Sequence, residues 1–173
     1  MIETKQLKLI PCQLKHFEAI LSDRQELELI LGAIVPDNWT DFFDVIPDMY
    51  RSLLSDPSLL EWGAYLFIHR EDNILIGWGG FKGKADARGI VEIGYEIIPL
   101  YRNRGLATEA AWGLIEYAFS YSHIKSIQAQ TLAINNASTK LLQNIGMQFV
   151  GTTDDPNEGG IWHWYLSKEN YKN

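Results

Sequence analysis

The chain has a single cysteine among its 173 residues, so it cannot close an internal disulfide. We expect Cys12, which follows Pro11 at the end of a predicted strand, to be a small buried side chain rather than a catalytic thiol. No apolar run reaches the ~18 residues that a membrane-spanning helix needs. The opening MIETKQLKLI also lacks the apolar segment of a secretory signal. We therefore expect a cytoplasmic protein without a membrane partner.

Positive charge is also scarce. The sequence has 15 Lys and Arg against 22 Asp and Glu, a formal net charge of -7. Nucleic-acid binding requires a broad basic face that neutralises phosphates, so we expect no nucleic-acid partner. The 4 histidines show no metal-ligand spacing, and we expect no metal. An anionic ligand would therefore need a local site.

The sequence also lacks repeats, linkers and low-complexity segments, and 46% of its residues are hydrophobic. Length and composition predict one domain over residues 1–173. Hydrophobic periodicity predicts strands at 6–10, 62–69, 74–81, 91–98, 126–132, 147–153 and 161–166, and helices at 14–31, 105–122 and 135–145. Segment 39–54, capped at Thr40 or Asp41, should form two short helices because Pro47 interrupts it.

This order of elements predicts an α/β fold whose central sheet is mixed and mostly antiparallel, with helices on both faces. The strands between 62 and 98 form an antiparallel meander, whereas a helical crossover makes strands 91–98 and 126–132 parallel. Helix 105–122 should start with Glu109 close to the positive end of its dipole.

The stretch YRNRGLATEAA, residues 101–111, concentrates positive charge where a strand gives way to a helix. The first N–H groups of a helix have no intrahelical acceptor, and Gly105 lets a ligand approach them closely. Together with Arg102 and Arg104, the loop suits a pyrophosphate. Neither P-loop nor Rossmann glycine spacing is present. A plain helix start with solvated arginines remains an alternative.

Two blocks, VEIGYEIIPLYRNRGLATEAAWGLIEYAF and INNASTKLLQNIGMQFVG, resemble the GNAT superfamily of acetyl-CoA-dependent N-acetyltransferases. The resemblance is strongest to the branch of ribosomal-protein N-terminal alanine and serine acetyltransferases. The opening LKLIPCQLKHFEAIL resembles the first strand and helix of this branch, so the resemblance covers nearly the whole chain.

The resemblance implies a role for each matching residue. The pyrophosphate of acetyl-CoA would bind mainly backbone N–H groups of the loop Arg102, Asn103, Arg104, Gly105, Leu106, Ala107 and Thr108. The pantetheine arm would pair with the backbone of Tyr95 and Ile97, and Asn135 would bind a pantetheine amide. Ser138 matches the serine proposed to protonate the leaving thiolate. Leu142 stands where many members carry a tyrosine that acts as the general acid, which shifts this role to Ser138 or water. Alternatively, Asn135 only caps a helix whose first turn contains Ser138.

A general base is optional for an N-terminal amine, since an α-amino group titrates at about 7.7–8.0 whereas a lysine titrates at about 10.4. Glu92 is the best side-chain candidate for a base, and Glu96 shares its strand face. Trp39 and Trp78 suggest an acceptor pocket. Trp112, Trp162 and Trp164 are expected to pack structurally.

The sequence therefore predicts an N-acetyltransferase that moves an acetyl group from acetyl-CoA to a primary amine. The branch resemblance favours a peptide or protein N-terminus. The alternatives are a small-molecule amine (an amino sugar, polyamine or antibiotic), an acyl-CoA-binding module that has lost catalysis, and a nucleotide-binding protein. A homodimer is also left open.

Overall fold

Eight strands of the described residues, 1–171, form one sheet in the computed structural model. They are β1 (Ile2–Glu3), β2 (Leu7–Pro11), β3 (Ala64–His69), β4 (Ile74–Phe81), β5 (Ile90–Ile97), β6 (Ser126–Leu132), β7 (Gln148–Asp155) and β8 (Gly159–Ser167). The order across the sheet is β1-β2-β3-β4-β5-β6-β8-β7. Neighbours are antiparallel except β5 and β6, which are parallel. The predicted mixed, mostly antiparallel sheet is confirmed.

The helices are α1 (Leu14–Ser22), α2 (Arg24–Leu31), α3 (Ile46–Ser55), α4 (Leu106–Ser120), α5 (Ala137–Asn144) and α6 (Lys168–Tyr171). Within residues 1–171, none of them combines the length and apolar character needed to cross a membrane. The short elements β1 and α6 were not predicted.

Two helix predictions differ from the structure. The helix expected over 14–31 is split at Asp23, whose extended backbone ends α1 and whose side chain accepts a hydrogen bond from the Gln25 N–H at the start of α2. Segment 39–54 contains one helix, α3, preceded by a 3-10 turn at Phe43–Val45. Pro47 lies in the first turn of α3, where its missing N–H needs no intrahelical partner. It therefore starts the helix instead of kinking it.

Strand register assigns α4 to one face of the sheet. Leu9 lies opposite Phe67, Phe67 opposite Gly77, and Gly77 opposite Ile97, so these residues share a face. Gly113 of α4 packs beside the Leu9 side chain. Helix α4 therefore covers this face.

The opposite face carries Trp78 and Glu96, which are cross-strand neighbours. Phe17 of α1, together with Met49 and Leu53 of α3, lines the same cavity as these two residues. Helices α1 and α3 also pack on each other. The prediction of helices on both faces is confirmed.

Glu109, in the first turn of α4, also forms hydrogen bonds to the segment between β1 and β2. Its carboxylate accepts hydrogen bonds from the Thr4 hydroxyl at 2.5 Å, the Gln6 N–H at 2.5 Å and the Gln6 side-chain amide at 2.8 Å. Burial acts to raise the pKa of Glu109, but the hydrogen bonds from Thr4 and Gln6 together leave it below the ordinary value. Glu109 therefore ties the β1–β2 segment to the helix that follows the arginine loop.

Replacing Glu109 with Gln should lower the free energy of unfolding by about 2 kcal/mol at pH 7, because the charged acceptor of the Thr4 and Gln6 donors is lost. A carboxylate whose pKa is lowered in the folded state stabilises the fold at pH values above its ordinary pKa of 4.5. This stabilisation is lost as the pH falls through the pKa of the folded state. The deficit of the variant should therefore shrink below about pH 4.5. Urea denaturation at both pH values measures it, with exposed Glu71→Gln as the control. An equal deficit for both variants at pH 7 would contradict the assignment.

Candidate active site

The pairing of β5 with β6 ends before either strand does. Ile90 to Ile93 pair with Ser126 to Ala129, yet β5 continues to Ile97 and β6 to Leu132. On its other side, β5 stays paired with β4 as far as Ile97. The sheet therefore opens between the ends of β5 and β6.

Backbone alternation directs two predicted contact residues into this opening. The Lys82 N–H donates to the Glu92 carbonyl, and the Ile98 N–H donates to the Ile76 carbonyl, so the even-numbered residues of β5 bond towards β4. The N–H and C=O groups of Tyr95 and Ile97 consequently point towards the β6 side, beyond the last β5–β6 pair. The Ile97 carbonyl also accepts a hydrogen bond from Arg102 Nε at 2.7 Å.

The arginine loop ends in an open helix start. Gly105 is the N-cap of α4 with a φ of 77°, a left-handed conformation that favours glycine, and in the described chain its cap is not completed by a side-chain hydrogen bond. A Cβ at Gly105 would meet no described atom within 4 Å, so the space above it is open. The first N–H groups of α4, at Leu106, Ala107 and Thr108, have no intrahelical acceptor. This geometry suits an anion.

The loop is anchored from below by Tyr101. The buried Tyr101 hydroxyl donates to Asp72 Oδ2 at 2.6 Å, and burial together with this carboxylate raises the pKa of Tyr101 to about 12. The Arg104 guanidinium lies 4.8 Å from the centre of the Tyr101 ring. Arg102, Asn103 and Arg104 are exposed. The positive charge therefore lies at the surface, directly before the open amides.

Ser138 and Tyr95 lie next to each other. Ser138 is half-buried in the first turn of α5. Burial raises the pKa of Tyr95, and a hydrogen bond with the Ser138 side chain acts in the opposite direction. Leu142 is buried, 1% exposed, and has no proton to give. Ser138 is thus brought beside Tyr95, whose backbone was the predicted contact, at the opening of the sheet.

Asn135 does not cap helix α5 in the structure. Asn136 is the N-cap of α5: its side-chain oxygen accepts the Thr139 N–H at 3.0 Å, and its own N–H donates to the Thr139 hydroxyl at 2.9 Å. Asn135 is exposed in the segment between β6 and α5. The alternative in which Asn135 caps the helix is wrong, because the neighbouring asparagine takes that role.

A cavity of about 740 Å³ lies against the face opposite α4, where the sheet opens. It has mostly apolar walls and a floor of strand glycines. Its lining includes Phe17, Phe42, Val45, Asp48, Met49, Leu53, Trp78, Gly79, Gly80, Lys82, Gly94, Tyr95, Glu96, Gln130, Leu132, Glu158 and Ile161. Cys12 also lines it, and burial raises the pKa of this thiol far above its usual range. This is the environment of an unreactive cysteine.

Comparison with known proteins decides the family. A family model described as "Acetyltransferase (GNAT) domain" matches residues 6–148. The chain belongs to this family. It is 26% identical over 148 residues to the uncharacterized N-acetyltransferase YjdG of Bacillus subtilis, covering 84% of this chain and 88% of YjdG. This GNAT member is therefore an acyltransferase of the N-acetyltransferase type.

Solved structures share its fold. A GNAT-family acetyltransferase from Bacillus anthracis superposes with a TM-score of 0.66 at 22% identity, over 97% of this chain and 98% of the other. RimL, a ribosomal L7/L12 alpha-N-protein acetyltransferase solved in complex with coenzyme A, superposes with a TM-score of 0.70 at 12% identity, over 96% and 97%. At these identities the likeness concerns the fold.

The two glutamates of β5 have different surroundings in this GNAT member. Glu92 forms an ion pair with Lys82, with 2.5 Å between Nζ and Oε1, and its other oxygen accepts from the amides of Gln128 and Gln130. Among the described residues, Lys82 and Gln130 line the cavity but Glu92 does not. The role of Glu92 as a general base stays a prediction. An acceptor in the cavity would reach Lys82 and Gln130, the partners of Glu92, before it reached Glu92 itself.

Glu96 is the carboxylate of β5 that faces the cavity. It accepts hydrogen bonds from the Thr40 hydroxyl, the Asp41 N–H and the Trp78 indole N–H, at 2.8, 2.9 and 3.0 Å. Thr40 and Asp41, expected to cap a helix, serve this carboxylate instead. From the alternation of residues along the strand, Glu96 was only the second candidate for a base after Glu92. Alternation does not show that Glu96 itself lines the cavity, whereas at Glu92 the partners Lys82 and Gln130 line it.

The expected division of the tryptophans into pocket-lining and structural residues agrees only in part with the structure. Trp78 lines the cavity. Trp39 is buried behind it, with an edge-to-face contact at 5.9 Å between ring centres. Trp164 is buried and donates to Thr131. Trp39 therefore supports the cavity wall rather than lining it.

Proposed function

We propose that this N-acetyltransferase transfers an acetyl group from acetyl-CoA to a primary amine. The observation that carries the proposal is the opening between β5 and β6, with unpaired strand backbone at Tyr95 and Ile97. The open first turn of α4 follows this strand end in the chain. A helix start binds anions through N–H groups and the helix dipole. A pantetheine amide can pair with free strand backbone as another strand would.

The donor would lie along the α4 side of the sheet. Its pyrophosphate would bind the loop from Arg102 to Thr108, which includes Asn103, Arg104, Gly105, Leu106 and Ala107. Asn135 supports this position because its side chain is exposed and the cap is made by Asn136. Since the Ile97 carbonyl already accepts from Arg102, the Ile97 N–H is the better partner for pantetheine.

Acetyl transfer needs a neutral amine, a polarised thioester carbonyl and a protonated leaving thiol. The amine nitrogen forms a bond to the carbonyl carbon and releases a proton to water, while the carbon–sulfur bond breaks and the sulfur takes a proton. A strand N–H at the opening can polarise the carbonyl. Ser138, beside Tyr95, is suited to deliver the proton, because buried Leu142 has none. An α-amine reacts without a strong base, since part of it is neutral at pH 7.

A peptide or protein N-terminus is the favoured acceptor. Support comes from the branch resemblance and from RimL, which is named as an alpha-N-protein acetyltransferase. A small-molecule amine is the second candidate, because the cavity has room for one. Cytoplasmic location and a homodimer stay predictions from the sequence.

The deciding experiment follows thiol release from acetyl-CoA with a panel of acceptors: peptides beginning with Ala or Ser, spermidine and glucosamine. We expect acceptor-dependent release, greatest for the peptides. Mass spectrometry of the product should find the added acetyl group on the α-amine. A preference for spermidine or glucosamine would favour the small-molecule candidate, and no release with any acceptor would reject the proposal.

Gly105→Val should weaken coenzyme A binding at least about tenfold, because a β-branched side chain resists the left-handed conformation that opens the loop. Isothermal titration with coenzyme A measures the dissociation constant. Gly32→Val is the matched control: Gly32 caps α2 with a φ of 61° and has equally open space around its missing Cβ. Both variants should lose similar stability, but Gly32→Val should keep its affinity. Unchanged affinity in Gly105→Val would show that the loop does not hold the ligand.

Ser138→Ala should lower kcat by roughly 10- to 100-fold with a smaller change in KM, because a proton donor acts only as the thiolate leaves. The defect should persist from pH 6 to 9, since a serine hydroxyl keeps its proton throughout this range. Steady-state kinetics from pH 6 to 9 measure both effects, with exposed Ser122→Ala as the control. Kinetics like those of the wild type at every pH would remove Ser138 from the mechanism.

A further inference from the structure

The charges that line the cavity are unequally compensated. Lys82 is neutralised by Glu92, and Asp48 forms an ion pair with Arg51. Glu96 has only neutral donors among the described residues, namely the Thr40 hydroxyl, the Asp41 N–H and the Trp78 indole. Hydrogen bonds from these neutral groups hold a carboxylate in place without cancelling its charge. The cavity wall at Glu96 therefore attracts a cation.

The remaining walls are mostly apolar, although Ser52, Gln130 and Thr131 also line the cavity. Phe17, Met49, Leu53 and Trp78 are buried or half-buried and line the cavity, and half-exposed Phe42 lies at its rim. A volume of about 740 Å³ is that of a site for a small organic molecule or a terminal residue. These walls offer burial to an apolar group rather than hydrogen bonds to hydroxyls.

The floor of the cavity has a gap next to Glu96. Gly94 precedes Glu96 by two residues, so both face the cavity side of β5. A Cβ built on Gly94 would meet only the Lys82 Cε among described atoms, at 3.8 Å, and its φ is outside the left-handed region. Neither backbone strain nor a clash explains a glycine here. Its absent side chain leaves room beside the carboxylate and the opening of the sheet.

We propose that the acceptor is an α-amine whose neighbouring carbon carries a bulky apolar group, such as an aromatic N-terminal residue. The ammonium is attracted by Glu96 before it loses its proton, and the apolar group lies over Gly94 against Met49, Leu53 and Phe42. This inference rests on the proposed function and narrows its acceptor class.

Other amines fit these walls less well. A polyamine brings two or three cations, but Asp48 already has Arg51 and the exposed Glu158 lies on the turn before β8. An amino sugar would leave several hydroxyls against apolar walls, and unpaired polar groups are costly to bury. A free amino acid carries a carboxylate close to its amine, which Glu96 would repel. A terminal residue in a peptide has no such carboxylate.

The first measurement compares kcat/KM for phenylalaninamide and glycinamide with acetyl-CoA as donor. The two amines differ only in a benzyl group, whose burial predicts a preference for phenylalaninamide of roughly 10- to 100-fold. Spermidine and glucosamine should be poorer acceptors than phenylalaninamide. Calorimetric titration of phenylalaninamide in the presence of coenzyme A gives an affinity that does not depend on turnover.

Two variants connect the preference to the cavity. Phe42→Ala should reduce the ratio of phenylalaninamide to glycinamide by roughly fivefold, since part of the wall is lost. Phe43→Ala is the matched control, because Phe43 is a similarly exposed neighbour that packs on Trp39 and is not among the described cavity-lining residues. Gly94→Val should reduce kcat/KM for phenylalaninamide to near that for glycinamide, with coenzyme A affinity unchanged.

The outcomes separate the inference from the function beneath it. A ratio near one, a higher kcat/KM for spermidine or glucosamine, or equal effects of Phe42→Ala and Phe43→Ala would overturn the acceptor class while leaving acetyl transfer intact. Failure to acetylate any amine, with coenzyme A still bound, would overturn the proposed function itself. The expected ratio, lost in Phe42→Ala and Gly94→Val but kept in Phe43→Ala, supports the inference.

Discussion

The structure of the site depends on where β5 and β6 stop pairing. Parallel hydrogen bonding ends at Ile93 and Ala129, although both strands continue. Unpaired strand backbone is costly unless a partner or water satisfies it, so an opening inside a sheet marks a place for another chain-like molecule. Antiparallel pairing of β5 with β4 continues through this region and holds the opened strand in the sheet. One side of β5 therefore holds the sheet together while the other side is available for a ligand.

The opening connects two faces whose chemistry differs because side chains alternate along β5. Tyr95 points to the α4 side, next to Ser138, and Glu96 points to the cavity side, where it accepts hydrogen bonds from Thr40 and Trp78. Adjacent residues of one strand thus belong to opposite halves of the site. A shift of the β5 register by one residue would exchange these halves, so the register that the core imposes also determines the chemistry. The anchoring of α4 by Glu109 supports the same arrangement.

Features set by local residue order could be predicted from the sequence. The strands, the parallel crossover and the glycine at the start of α4 follow from periodicity and from the needs of a helix terminus, and the resemblance to GNAT proteins identified the family. Competition between neighbours could not be predicted. Asp23 divided an expected helix, Asn136 took the capping role that was only an alternative for Asn135, and Lys82 formed an ion pair with Glu92. Each outcome depends on a contact between residues of similar type, which a single sequence ranks poorly.

The distribution of charge follows the same division between the two faces. The chain carries a formal net charge of -7, yet Arg102 and Arg104 lie exposed before the open amides of α4. On the cavity side, Glu96 retains a charge that its neutral partners do not cancel. The proposed anionic donor and cationic acceptor would thereby be attracted to different faces of the sheet and would meet at the opening. Charges kept on separate faces of one strand would let an acidic protein attract the proposed anionic donor and the proposed cationic acceptor to one opening.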